Sequence, residues 1–206
     1  MKILMEVSTY SYKTYHSLAK RIQEIYPGSQ FGIARGPATA LSFLQEQNDI
    51  KYEIFEVNDN YSFADSIDFD VLKNFQEYLP HKSLWRMIAA DRRLGRAFVS
   101  GVVGYEHIKS SDHHYILQST YHKIVQIKRI FDEFKPDIFI PAIAMGDVGV
   151  TILEQNCKER GIPYAAVQPC RVKNLCAFAS NAQLIFTQID EETRALIGGD
   201  IEYDLS

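Results

Sequence analysis

The sequence predicts an α/β domain on a mainly parallel sheet. Apolar residues recur by turns with a period of two and a period of 3.6, the marks of strands and of amphipathic helices. The extended segments are short and helices separate them, so neighbouring strands need crossovers and not hairpins. With 206 residues, 46% of them hydrophobic, the chain can fill one large core without disulfides or metals.

Taken in order, Lys2 to Ser8 alternates as a first strand, and Tyr12 to Tyr26 follows as a helix with Leu18, Ile22 and Ile25 on one face. Pro27-Gly28 ends it. Phe31 to Ala34 is a second strand, Pro37 to Gln47 a helix opened by proline, and Tyr52 to Val57 a third strand. A polar and aromatic connection, Asn58 to Ser66, leads to two helices, Asp68 to Leu79 and Ser83 to Phe98. Asp112 to Phe134 is the longest helix, stopped by Lys135-Pro136. Asp137 to Ile143 is a near-continuous apolar strand, Val148 to Arg160 a helix ended by Gly161, Tyr164 to Val167 a fifth strand and Leu184 to Thr187 a sixth.

About six strands with right-handed crossovers amount to one Rossmann-like, three-layer domain over residues 1–206, of order 3-2-1-4-5-6. The order reverses between the first and fourth strands. Ser8 to Ser11 is therefore expected to face Ala144 to Asp147 across the crevice where such sheets bind ligands.

Composition narrows the function. The 22 basic and 26 acidic side chains leave a formal charge of −4, which argues against a general nucleic-acid binder with a broad cationic face. Cys157, Cys170 and Cys176 form no CxxC pair and read as thiols of a reducing compartment. The chain enters a strand pattern at once, so the mature protein is expected to start at Met1 without a signal peptide. Ala97 to Tyr105 and Ile138 to Met145 fall short of the roughly 20 residues of a membrane span. A cytoplasmic protein that at most touches the inner face of the membrane is expected.

Four stretches carry candidate chemistry. The first turn, Val7-Ser8-Thr9-Tyr10-Ser11-Tyr12, lacks GxGxxG, so no nicotinamide or flavin cofactor is expected. Its hydroxyls and rings either hold a sugar or an anion at the helix amino terminus or simply cap that helix. After the fourth strand, Gly146 allows close approach of backbone to a ligand, and Asp147 is either a helix cap, an acceptor for a sugar hydroxyl or a base.

The helix from Ser83 places Asp91 on its apolar stripe, where the carboxylate needs Arg92, Arg171 or a backbone amide as partner. Lys82, Arg86, Arg92, Arg93 and Arg96 stand against Asp91 alone between residues 81 and 100, a local charge of +4 that is either a solvated face or a seat for an anionic sugar or lipid headgroup. The fourth stretch, Gln168 to Asn174, brings Arg171 to the same edge. Cys170 and Cys176 have no paired histidine, and in Asp112-His113-His114 adjacent helical residues point about 100° apart, so no metal is expected and the latter tripeptide reads as helix initiation. No GxSxG elbow, Walker loop or HExxH is present in the sequence.

Three segments, Trp85 to Phe98 with its Asp91-Arg92, Ala144-Met145-Gly146-Asp147, and Cys157 to Pro163 continuing into Pro169-Cys170-Arg171-Val172-Lys173-Asn174, resemble bacterial capsule and surface-polysaccharide biosynthesis proteins of the GT-B glycosyltransferase type. The resemblance spans about residues 1 to 190. It implies two facing Rossmann-like domains, the first receiving the sugar acceptor and the second the nucleotide-sugar donor. This chain would be the first, inactive alone, with Asp91 and Asp147 as catalytic carboxylates and Ser8, Tyr10, Arg92, Gly146 and Arg171 as acceptor contacts. The implied partners are a sugar acceptor, an anionic one included, and a donor-binding domain for which these 206 residues leave no room. A sugar-nucleotide epimerase of the same architecture and a non-catalytic glycan-binding or assembly module are the alternatives; the first turn departs from the epimerase pattern, having no basic residue between Glu6 and Lys13.

Overall fold

A computed structural model describes residues 1–55, 66–79, 81–91, 94–95, 112–142, 147–169, 176–181 and 187–198. In chain order its elements are β1 (Lys2–Glu6), α1 (Tyr12–Ile25), β2 (Gln30–Arg35), α2 (Ala38–Gln45), β3 (Tyr52–Ile54), α3 (Phe69–Glu77), α4 (Leu84–Ala90), α5 (His113–Phe134), β4 (Ile138–Ile140), α6 (Val148–Arg160), β5 (Ala166–Pro169), β6 (Cys176–Ala179) and α7 (Thr187–Gly198).

The period of two along β1 decides the layers. Ile3 and Met5 enter the apolar cluster beneath α1 and α2, where Tyr15, Ala19, Ala40 and Leu44 meet them. Leu4 turns the other way, into the larger cluster formed by Ile116, Ile124, Ile127 and Phe131 of α5, Ile152 and Leu153 of α6, and Leu72, Phe75, Leu84 and Ile88 of α3 and α4. Each such side chain, fully withdrawn from water, contributes roughly 1.5–3 kcal/mol before entropy is counted, so burial on both faces is what fixes the register of the middle strands.

Four strands run parallel in the order β3-β2-β1-β4, as the alternation of elements predicts. Tyr164 pairs in parallel with Phe139, which carries the chain past β4 in the expected direction. The count of six parallel strands needs correction. β5 and β6 pair antiparallel, with Pro169 opposite Cys176, because the six residues between them are too few for a crossover, which takes a dozen or more. Leu184 to Phe186 of the predicted sixth strand lie outside the described residues, and Thr187 opens α7.

The helix ends follow local chemistry. Asp68 accepts from the amides of Asp70 and Val71, Ser83 from that of Arg86, and Asp112 from that of Tyr115 at 3.1 Å, so Asp112 does initiate α5. Gly161 closes α6 with φ of 65°, the left-handed conformation glycine adopts without strain. The helix predicted from Ser83 to Phe98 does not run through: α4 stops at Ala90, and Asp91 is extended, with ψ of 132°. Mid-helix, a carboxylate on the apolar stripe would find every nearby amide already bonded to a carbonyl. Breaking the helix frees amides to meet it. No helix among the described residues is long and apolar enough to cross a membrane.

Candidate functional site

Three strands end in polar residues at the same edge. Glu6 closes β1, Arg35 closes β2, and Pro141 and Ala142 follow β4. Strict alternation would turn Arg35 towards α1 and α2, away from Glu6. The ladder instead slips by one residue between Met5 and Glu6, pairing Glu6 with Arg35 and leaving Ala34 as the extra residue of a bulge. The guanidinium thereby reaches Glu6, with Nε donating to Oε1 at 2.5 Å, and Asp147 at the start of α6, with Nη1 donating to Oδ1 at 3.0 Å. Glu6 Oε2 accepts from the Ala142 amide at 3.2 Å, and the Tyr15 hydroxyl donates to the Pro141 carbonyl at 2.5 Å. One polar cluster thus ties β1, β2, α1, α6 and the end of β4 together.

Gly149 is required by this arrangement. A Cβ at that position would collide with Arg35 Nη1, so only glycine lets the guanidinium lie against the first turn of α6.

The two carboxyl groups on Arg35 are driven apart. Burial raises the Glu6 carboxyl above its ordinary value; the nearby Asp147 charge adds to that, and Arg35 opposes it. For Asp147 burial also acts upward, but the Arg35 charge and hydrogen bond, Lys123 and the Gly149 amide outweigh it and hold the group at about 2. The side chain of Glu6 is 3% exposed and that of Asp147 is 29% exposed, so Asp147 is the member of the pair that solvent, or a ligand, can reach. Arg35 stays charged, since its two carboxylates more than offset its burial. Tyr15 is pushed up to about 12 by burial and by Glu6.

Asp147 caps α6, accepting from the Gly149 amide at 2.6 Å, so its cap reading holds alongside its ion pair. Asp91 finds backbone amides, one of the three partners open to it: Oδ1 accepts from Leu94 at 2.7 Å and Oδ2 from Val148, the first residue of α6, at 2.6 Å. The two predicted catalytic carboxylates therefore bind successive amides of one helix terminus.

Ser8 and Ser11 form a reciprocal cap at the start of α1. Ser8 Oγ accepts from the amides of Tyr10 and Ser11, and Ser11 Oγ accepts from the Ser8 amide at 2.9 Å. The amides expected to be free for an anion are occupied. Tyr10 projects from that turn with 95% of its surface exposed. Because β1 and β4 are neighbours, the Ser8 turn and Asp147 follow adjacent strands at one edge. Arg92, Gly146 and Arg171 lie outside the described residues.

Sequence reasoning missed Glu6 and Arg35. The signal was a charge ending each of two otherwise uncharged runs, Ile-Leu-Met-Glu and Phe-Gly-Ile-Ala-Arg, opposite in sign on adjacent strands.

A second polar group lies at the other end of the sheet. His16, buried in α1, meets the Tyr52 hydroxyl through Nδ1 at 2.8 Å and Asp49 through Nε2 at 3.3 Å, and Lys20 pairs with Asp49 at 2.7 Å. Beside it opens a cleft of about 590 Å³ lined by Gln23, Gln30, Asp49, Lys51, Tyr52 and Glu53. This cleft flanks the amino ends of β2 and β3, away from the edge where parallel sheets place ligands.

No family model and no curated protein matches the chain. Among solved structures it is similar to the crystal structure of UDP-GlcNAc 2-epimerase from Neisseria meningitidis bound to UDP-GlcNAc, at 13% identity and a TM-score of 0.42. The similarity covers 98% of this chain and 44% of that one, so the chain spans less than half the length of the structure it matches.

Proposed function

We propose that this chain is the Rossmann-like first domain of an enzyme acting on nucleotide-linked sugars, and that its carboxyl edge holds the hydroxyl groups of a sugar acceptor. The observation that carries the reading is Asp147, a partly exposed carboxylate at the switch point that Arg35 and the Gly149 amide hold ionised and immobile. A carboxylate kept at about 2 is a weak base but a strong acceptor, so its role is to fix and polarise an acceptor hydroxyl. Asp91 acts one step back. Both its oxygens accept from backbone, and it holds the Leu94 turn against α6, orienting the residues that flank Asp147. Tyr10 supplies an exposed ring for the sugar face, and Ser8 shapes the turn that carries it. Arg92, Gly146 and Arg171 complete the proposed contacts. The nucleotide sugar is received by a second domain, and the isolated domain is inactive.

The finer reading is glycosyl transfer in capsule or surface-polysaccharide synthesis, supported by the sequence resemblance of the segments around Asp91, Asp147 and Arg171. An epimerase is the second reading. It is favoured by one feature, a pair of carboxyl groups, Glu6 and Asp147, shifted in opposite directions on one guanidinium, since elimination and re-addition need carboxyl groups of unlike acidity.

Incubation of the complete protein with a nucleotide sugar, UDP-GlcNAc among those tried, separates the two, because only the epimerase converts donor without an acceptor. In the transfer assay Asp147→Ala and Asp91→Ala are each expected to lower turnover. Undiminished rates in both would remove the proposed roles.

A further inference from the structure

Two helix amino termini flank the switch point of this sheet, and the chain closes both with its own side chains. At α1 the amides of Tyr10 and Ser11 are taken by Ser8 Oγ. At α6 the Val148 amide is taken by Asp91 and the Gly149 amide by Asp147, both at 2.6 Å. In α/β domains that bind phosphate, these amides and the positive end of the helix dipole receive the anion. Here two carboxylates already occupy the α6 terminus. Arg35, the guanidinium of the edge, is engaged by Glu6 through Nε and by Asp147 through Nη1. Glu6, Asp91 and Asp147 thus gather around one guanidinium, with Lys123 the further cation that acts on Asp147.

Resting on the function proposed above, we infer that this crevice recognises the uncharged hydroxyl face of a sugar and rejects phosphate. A phosphate brought to either terminus would have to displace a side chain and meet the Asp147 charge at close range. A hydroxyl does neither, since it donates to the remaining acceptor sites of Asp147, whose carboxylate has about four. Any phosphate of a bound nucleotide sugar therefore lies away from both helix termini.

The test is calorimetric titration of the full chain with a panel of neutral sugars, each matched by its 1-phosphate and its UDP-linked form, and with inorganic pyrophosphate. Amide resonances of Ser8 to Ser11 and of Val148 and Gly149 report the place of binding. The expected result is that neutral sugars shift those amides, the 1-phosphates bind no tighter, and pyrophosphate fails to compete. Asp147→Ser keeps a capping oxygen but drops the charge; neutral-sugar affinity should fall about ten- to a hundredfold while pyrophosphate binding strengthens.

UDP-sugars that bind at least about tenfold tighter than the neutral sugars, with pyrophosphate competing at the same amides, would overturn the inference and leave the sugar-nucleotide reading standing. Failure of every sugar, neutral or nucleotide-linked, to perturb this edge would remove that reading too. Unchanged sugar affinity in Asp147→Ser would overturn the role given to its charge.

Discussion

The two ends of the sheet hold polar clusters of opposite character. At the carboxyl edge, Glu6, Arg35 and Asp147 form an ion network in which every charge is withdrawn from water to a large degree, and their acidities are displaced accordingly. At the amino edge, Asp49 is 43% and Lys20 51% exposed, and their ion pair lies at the surface beside the large cleft. Room for a ligand and groups shaped for chemistry lie at opposite ends. Volume reports where side chains fail to fill space, whereas a desolvated, bonded charge reports where the fold sustains an unfavourable group.

That contrast predicts a steep gradient of mutational effects. Arg35→Ala should be the most damaging change, costing about 3–5 kcal/mol, since it strands Glu6 and loosens Asp147; urea unfolding reads this directly, and a loss as small as that of a surface pair would break the distinction. Asp147→Asn should alter the acid limb of stability. Its carboxyl is depressed on folding, so its stabilisation is complete above about pH 4 and disappears as pH falls towards 2, a window worth about 2 kcal/mol that the variant should lack. Glu6 works with the other sign, stabilising the fold most when protonated, and does not produce that limb.

Gly149→Ala should cost roughly 1–2 kcal/mol by pushing the guanidinium off the helix, and the same acid titration should show a weakened Asp147 limb. Asp49→Asn should leave the unfolding midpoint where it was, because exposed pairs contribute little in water. A clear loss there would show the amino-edge cluster to be the better-built of the two.

Much of the frame was legible. The α6 boundaries follow from Asp147 and Gly161, that of α5 from Asp112 and Lys135-Pro136, and the order of the first four strands from helices long enough to cross over. β6 was not, because Cys-Ala-Phe-Ala carries too little apolar bulk to declare a strand, although the short gap after Pro169 already forbids a parallel partner. At the site, Asp147 and Asp91 stood out by position. Glu6 and Arg35 did not, since each ends a buried strand, and their pairing depends on a ladder irregularity that no period of two can announce.

Ala34 gives β2 one residue of slack, and its consequence is a mechanical independence within a single strand. Upstream of it, Phe31 to Ile33 keep step with β1 and answer only to packing; downstream, Arg35 answers only to the charges it joins. Excising Ala34 would restore a regular ladder while rotating the guanidinium to the opposite face, a protein with its scaffold intact and its edge disarmed.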